Sequence, residues 1–200
     1  MRFIRRLLLA FALLCPLAVQ SVPHTAKSYQ RELTRNSHAI WGLKAPIALF
    51  AAQIHQESQW DIRAVSPVGA RGLAQFMPST ARWISGLYPE LADNQPYNPS
   101  WALRALVRYD NWLYQRVSAR SECDRMAFML SAYNGGLGWV QKDKRKAKAQ
   151  GFDPQTYWQS VELVNSGRSR ANFTENRGYP KRIIYRWQPL YKTWGRSVCL

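Results

Sequence analysis

Pro46, Pro78 and Pro99 set out the architecture, because each stands at the head of a stretch whose apolar residues recur every three or four positions. Proline has a fixed φ and no amide hydrogen, so the first turn of a helix tolerates it where the interior does not. After Pro46, the residues Ile47, Phe50, Ile54 and Glu57 fall on one helical face. Pro78 opens a predicted helix from Ser79 to about Leu87. After Pro99, Leu103, Leu106, Val107, Trp112 and Leu113 keep the spacing of a longer helix. Met126 to Tyr133 reads as a short apolar helix, stopped by Asn134-Gly135-Gly136, residues that tolerate left-handed backbone. Leu137 to about Gln150 reads as helical and basic, and a last helix is predicted from Pro180 to Tyr191. The segments 61–72 and 88–98 read as loops. Alternating, strand-like patterns are hard to find. The chain therefore reads as all-α, in one domain of 200 residues, enough to bury a core.

The N-terminus bears on compartment. Arg2, Arg5 and Arg6 precede an apolar run, Leu7 to Val19, and Val19-Gln20-Ser21 offers a cleavage site. Residues 1–21 read as a secretory signal peptide of the Sec type, with a retained inner-membrane anchor as the alternative. Arg5-Arg6 lacks the flanking residues of a twin-arginine signal, and Leu14 before Cys15 is too large for a lipoprotein box. Residues 22–40 are polar and mixed and read as a leader, and 192–200 as a C-terminal tail. Export leaves Cys123 and Cys199, which form either a disulfide or two free thiols; spacing does not decide. With 28 Lys and Arg against 12 Asp and Glu, the chain favours anionic partners. Export argues against nucleic acid and for a periplasmic or cell-envelope polymer. The densest basic run, Lys142 to Lys148, is either a solvated helix face or an attraction to the wall.

Glu57 ends an otherwise apolar face. A carboxyl there loses water, which raises its pKa and keeps the proton that a departing glycosidic oxygen needs. Around it stand His55-Gln56-Glu57-Ser58-Gln59-Trp60, then Ala64 to Ala81 with Gly72-Leu73-Ala74-Gln75-Phe76-Met77 at its centre. Ala132-Tyr133-Asn134-Gly135-Gly136 and Glu175-Asn176-Arg177-Gly178-Tyr179 follow. This order, over roughly Trp41 to Tyr191, resembles the catalytic domain of the soluble lytic transglycosylases. That family carries Glu-Ser, Gly-Leu-Met-Gln, Ala-Tyr-Asn and Glu-Thr-Arg-x-Tyr-like blocks.

The resemblance implies a lysozyme-like helical domain over 41–191, of the goose-type lysozyme and transglycosylase kind, with irregular loops around a substrate groove. It implies that Glu57 is the single catalytic acid and base. Ser58 would help hold Glu57 and the substrate, and Gln75 would line the sugar groove. Tyr133 and Asn134 match the third block, with the Tyr133 hydroxyl close to the carboxyl; Glu175 and Tyr179 would stand on the groove wall. Ala74 replaces the usual Met, Asn176 the usual Thr, and Gly136-Leu137-Gly138 varies the turn after Asn134. The implied reaction cleaves the β-1,4 bond between N-acetylmuramic acid and N-acetylglucosamine in peptidoglycan glycan strands and forms a 1,6-anhydro ring.

Two other readings stand beside it. A lysozyme-type hydrolase would need a second carboxylate about 5 to 9.5 Å from the first, such as Asp61 or Glu175, although Asp61 reads as a cap or a solvated acid. A non-catalytic cationic wall binder is allowed by the charge but leaves the four blocks without a role. Trp60, Trp83, Tyr88, Tyr97, Trp139 and Tyr179 are candidates for stacking on sugar rings, against a simpler place in core or rim. No cofactor or metal site is suggested, and the chain is expected to act as a monomer.

Overall fold

The computed structural model describes residues 21–199. The signal-peptide reading, apart from Ser21, lies outside them. The chain runs through α1 (His24–Trp41), α2 (Ile47–Ser58), α3 (Pro78–Leu87), α4 (Pro99–Tyr114), α5 (Glu122–Gly135), α6 (Leu137–Ala149) and α7 (Arg170–Lys181). A π-helical stretch, Arg182–Trp187, and a 3₁₀ turn, Gln188–Tyr191, follow α7 directly. Among the described residues the only strand-like pairings are the bridges of Arg71 to Val65 and to Phe76.

Helix α2 is the axis of the fold. Every residue from Ile47 to His55 is buried. A helix apolar on all sides belongs in the middle of a domain, and each large side chain such as Leu49, Phe50 or Ile54 contributes about 1.5–3 kcal/mol by leaving water. Helix α1 and the two C-terminal turns pack around α2; α4 bridges α1 to α5, and α5 carries α6 and α7. Local chemistry starts three of these helices. Asn98 Oδ1 accepts from Ser100 N (2.9 Å) and Trp101 N (3.3 Å), Ser121 Oγ from Asp124 N (3.1 Å), and Ser169 Oγ from Asn172 N (3.3 Å).

Two expectations change. Most of residues 22–40, read as a leader, is helix α1, which buries Ala26 and Leu33 and lends Trp41 Nε1 to Val107 O at 3.0 Å. Its inner stripe, Ala26, Tyr29, Leu33 and Ile40, keeps helical spacing among many polar residues, and the helix packs on α4. The last helix begins at Arg170, not Pro180. The buried face of α7 is Asn176, Arg177, Tyr179 and Pro180, a set that apolar periodicity passes over. Pro180 has no amide to return to the preceding turn, and the backbone continues into the wider π stretch two residues later.

Cys123 and Cys199 are joined in a disulfide, with Cα atoms 5.0 Å apart and a sequence separation of 76. It ties the tail to the first turn of α5, where Arg196 Nη1 also meets Glu122 Oε1 at 2.9 Å. Closing a loop of that size is worth about 2–5 kcal/mol. Cys199→Ser is expected to lower unfolding free energy by about 2–4 kcal/mol in a urea titration; an unchanged midpoint contradicts the structural role of the bridge.

Candidate active site

After Ser58 the chain reverses sharply, with Gln59 and Trp60 both in left-handed backbone (φ 52° and 68°). Trp60, a candidate for sugar stacking, instead enters the core at 2% exposure. Its Nε1 donates to Tyr191 Oη at 2.7 Å, and Tyr191 Oη lies 2.7 Å from His55 Nδ1. The phenol oxygen accepts from the indole and shares a hydrogen bond with His55 Nδ1, and burial and the Arg186 charge hold that imidazole below its ordinary pKa. This knot locks the end of α2, and with it Glu57, to the C-terminal turns.

Glu57 is half-buried and opens onto a groove of about 620 Å³. Its lining comes from the loop 61–77, through Ser66, Val68 and Met77, from Tyr109 on α4, from Tyr133 and Asn134 on α5, and from Glu175 on α7. The loop is held by Gln75, itself left-handed at φ 47°, whose Nε2 donates to Ala64 O (3.1 Å) and Gly72 O (2.9 Å). Gly72 is required here. Its φ is +69°, and a Cβ would stand 1.9 Å from Pro96 O.

The hydroxyl that meets the carboxyl is that of Tyr179, which donates to Glu57 Oε1. The expected partners behave otherwise. Tyr133 Oη donates to Ala74 O at 2.7 Å, and Ser58 Oγ is engaged with Ile54 O (3.4 Å) and Trp60 N (3.1 Å). Tyr179 is 2% exposed, so it positions a proton and offers no stacking face. Desolvation is the main influence on Glu57, pushing its pKa up to about 8; the Tyr179 hydrogen bond and the Arg182 charge oppose this, and the Glu175 charge assists it. Glu175 is gripped by Arg182, and Arg182 Nε donates to Gln56 Oε1 at 3.2 Å, which also accepts from Trp187 Nε1 at 2.8 Å. The π stretch thus brings Arg182 and Trp187 against the residue next to Glu57.

Asn134 is set by Asn176, whose Nδ2 donates to Asn134 Oδ1 (3.0 Å) and Ser131 O (2.8 Å). Asn176, the departure from the usual Thr, is buried and fully bonded, with Oδ1 accepting from Ser131 Oγ at 2.8 Å. Of the other aromatic candidates, Trp139 lines an adjoining pocket, while Trp83, Tyr88 and Tyr97 line neither. Asp61 is exposed and caps a turn by accepting from Arg63 N at 2.8 Å.

Asp110 belongs to none of the four sequence blocks. It is fully buried, accepts from Gln53 Nε2 at 3.3 Å, and burial and the Glu57 charge push it well above the ordinary carboxyl range. Asp110 Oδ2 and Gln53 Oε1 are both buried acceptors without a donor. Burial thus favours the protonated form of Asp110, whose O–H is a donor rather than a bare acceptor. The signal was present: position 110 continues the apolar face of α4 after Leu103, Leu106 and Val107, just as Glu57 continues that of α2.

Residues 36–156 match the transglycosylase SLT domain, and the chain belongs to that family. The match ends before α7, the helix that supplies Tyr179. Membrane-bound lytic murein transglycosylase F of Vibrio cholerae is 33% identical over 135 residues, 66% of this chain and 24% of that protein. Its counterpart in Shewanella pealeana is 34% identical over 147 residues, 73% of this chain and 28% of its own length. The chain thus spans about a quarter of the curated relatives it matches. The fold is similar to part of the 70 kDa soluble lytic transglycosylase of Escherichia coli, with a TM-score of 0.56, 24% identity, and coverage of 83% of this chain and 24% of that one.

The raised pKa of Glu57 has a sign that stability measurements read. Between about pH 4.5 and 8 the folded chain holds a proton that the unfolded chain has lost, so this group's contribution falls as pH rises through that window. Glu57→Gln cannot titrate. Its melting temperature is expected to gain on the parent by about 3 °C or more between about pH 5 and about pH 9; a constant difference contradicts the shift. Tyr179→Phe removes a donor to the charged form, so the Glu57 midpoint is expected to rise by about one unit, read from the same pH series.

Proposed function

We propose that the chain is a lytic transglycosylase that cleaves peptidoglycan glycan strands between N-acetylmuramic acid and N-acetylglucosamine without water. The observation that carries this reading is one proton-holding carboxyl, Glu57, in a groove wide enough for sugar rings, with a single phenol on it. The other carboxylate lining that groove, Glu175, is tied to Arg182. Asp110 is buried and Asp61 is exposed elsewhere, and neither lines the groove, so neither faces the scissile bond as a partner acid. This favours the one-acid route over a two-carboxylate hydrolase.

In that route the proton on Glu57 passes to the bridging oxygen as its bond to C1 of the muramic residue breaks. The N-acetyl oxygen of the same residue supports C1. The carboxylate left on Glu57 then takes the proton of the C6 hydroxyl, and that oxygen bonds to C1. The anhydro ring forms, the other sugar leaves as an alcohol, and Glu57 regains its proton. Tyr179 stabilises the carboxylate between the steps. Gln75 and Asn134 line the groove with amides suited to hydroxyls and acetamides.

The relatives' names place them at the membrane, and we read this chain as an envelope enzyme. Among the described residues no helix is long and apolar enough to cross a membrane.

Digestion of purified sacculi is expected to release products one water lighter than hydrolysis gives, identified by mass spectrometry. Glu57→Gln is expected to lower turnover by at least about 10³-fold with its circular dichroism unchanged. Hydrated reducing ends, or a fully active variant, overturn the reading.

A further inference from the structure

The groove at Glu57 shares Asn134 and Glu175 with a second pocket of about 380 Å³, lined also by Gly135, Trp139, Arg168 and Asn172. Charge is out of balance in its wall. The carboxylate of Asp143 is buried and accepts from Ser166 N (3.0 Å), Ser166 Oγ (2.6 Å), Arg177 Nη2 (2.8 Å) and Arg168 Nη1. Two guanidinium groups therefore share one acid. Arg177 uses all its nitrogens: Nε meets Glu162 O at 2.8 Å, Nη1 meets Asn176 Oδ1 at 2.7 Å, and Nη2 also meets Val164 O at 2.7 Å. The nearby buried acid Glu162 is matched by Lys181 at 2.8 Å.

Arg168 is different. Its side chain is 4% exposed, and its Nε and Nη2 have no hydrogen-bond partner. Buried donors without acceptors are costly. The guanidinium carbon lies 5.0 Å from the centre of the Trp139 ring, a face that attracts a cation but accepts no second hydrogen bond of ordinary strength. The wall above is thin because residue 135 is glycine; a Cβ there would stand 3.7 Å from Arg168 Nη2 and 2.6 Å from Asn176 Nδ2. Helix α7 begins at this pocket, and its positive end adds to the same potential. Lys142 stands 4.7 Å over the other participant, Trp139.

We infer that this second pocket is a subsite for a carboxylate, read by Arg168, and that the carboxylate is carried on the peptide attached to the muramic residue of the strand. The assignment rests on the proposed function for the source of the acid, and on the orphaned guanidinium for its chemistry. Trp139 is half-exposed, and a turn of its ring off the guanidinium opens the two idle donors to the ligand. Glu175, on the rim shared with the catalytic groove, is held by Arg182 and keeps a second anion from sliding toward Glu57.

The test uses Asn172→Asp, an exposed position on the pocket lining that takes no part in the Asp143 network beneath. The new carboxylate competes for Arg168. Cleavage is measured on glycan strands with their peptides, on strands whose peptide carboxyls are amidated, and on strands stripped of peptide. The expected result is a KM raised about tenfold for the intact strands, with kcat unchanged and the other two substrates unaffected. Arg168→Lys, which keeps the charge but not the fork, is expected to lose the same preference. Equal effects on all three substrates, or none on any, overturn the inference. Should the parent release no anhydro product at all, the functional reading fails separately. The carboxylate site is then read by equilibrium binding of intact against amidated strands, where no difference overturns it.

Discussion

One contact organises the molecule: the phenol of Tyr179 on the carboxyl of Glu57. Its two residues lie 122 positions apart in the chain, and everything between them has to be in register for it to form. Helix α2 is buried on all sides, so Glu57 reaches the groove only because the helix ends one residue later and the chain reverses through two left-handed residues. Tyr179 arrives from a helix with a polar inner face, held by Asn176 and Arg177 to α5 and to the turn at Val161–Leu163. The π stretch after it returns Arg182 and Trp187 to Gln56. The site is thus a junction between the most apolar helix of the chain and one of its most polar.

Such a junction sets the electrostatics. Water is largely removed from Glu57, so its neutral form is favoured, while a single hydroxyl and one guanidinium keep the charged form accessible. The role proposed for Glu57, an acid that gives a proton and takes one back, suits this compromise. The same interior treats other polar groups differently. His55 is tied to Tyr191 and Trp60, and Asp143 is saturated by four donors. The acceptors of Gln53 and Asp110, and two donors of Arg168, are left open. Burial favours a proton on Asp110 in the first case, and the second asks for an anion.

Much of the scaffold is legible in the sequence. The prolines at 46, 78 and 99 marked helix starts to within a residue, because a missing amide is harmless only there. Glu57, Gln75, Tyr133, Asn134 and Glu175 do gather on one groove. The details that failed have different causes. In α1 the stripe of Ala26, Tyr29, Leu33 and Ile40 has helical spacing but lies in a segment polar enough to read as a leader, whereas the buried face of α7 is polar and carries no apolar period. Asp143 and Lys144 are buried inside the basic run 142–148, which on either reading, solvated face or attraction to the wall, is expected on the surface. Which phenol meets the carboxyl is a matter of angstroms: Tyr133 and Tyr179 both sense Glu57, but only geometry separates a hydroxyl on the carboxyl from one on Ala74 O.

The account stands on a carboxyl that keeps its proton near neutral pH. A carbon-13 NMR titration of labelled glutamate side chains, with Glu57 assigned by its loss in the Gln variant, reads that proton directly. The expected midpoint for Glu57 is about 8, well apart from the other glutamates. A midpoint near 4.5, the ordinary carboxyl value, contradicts the central claim.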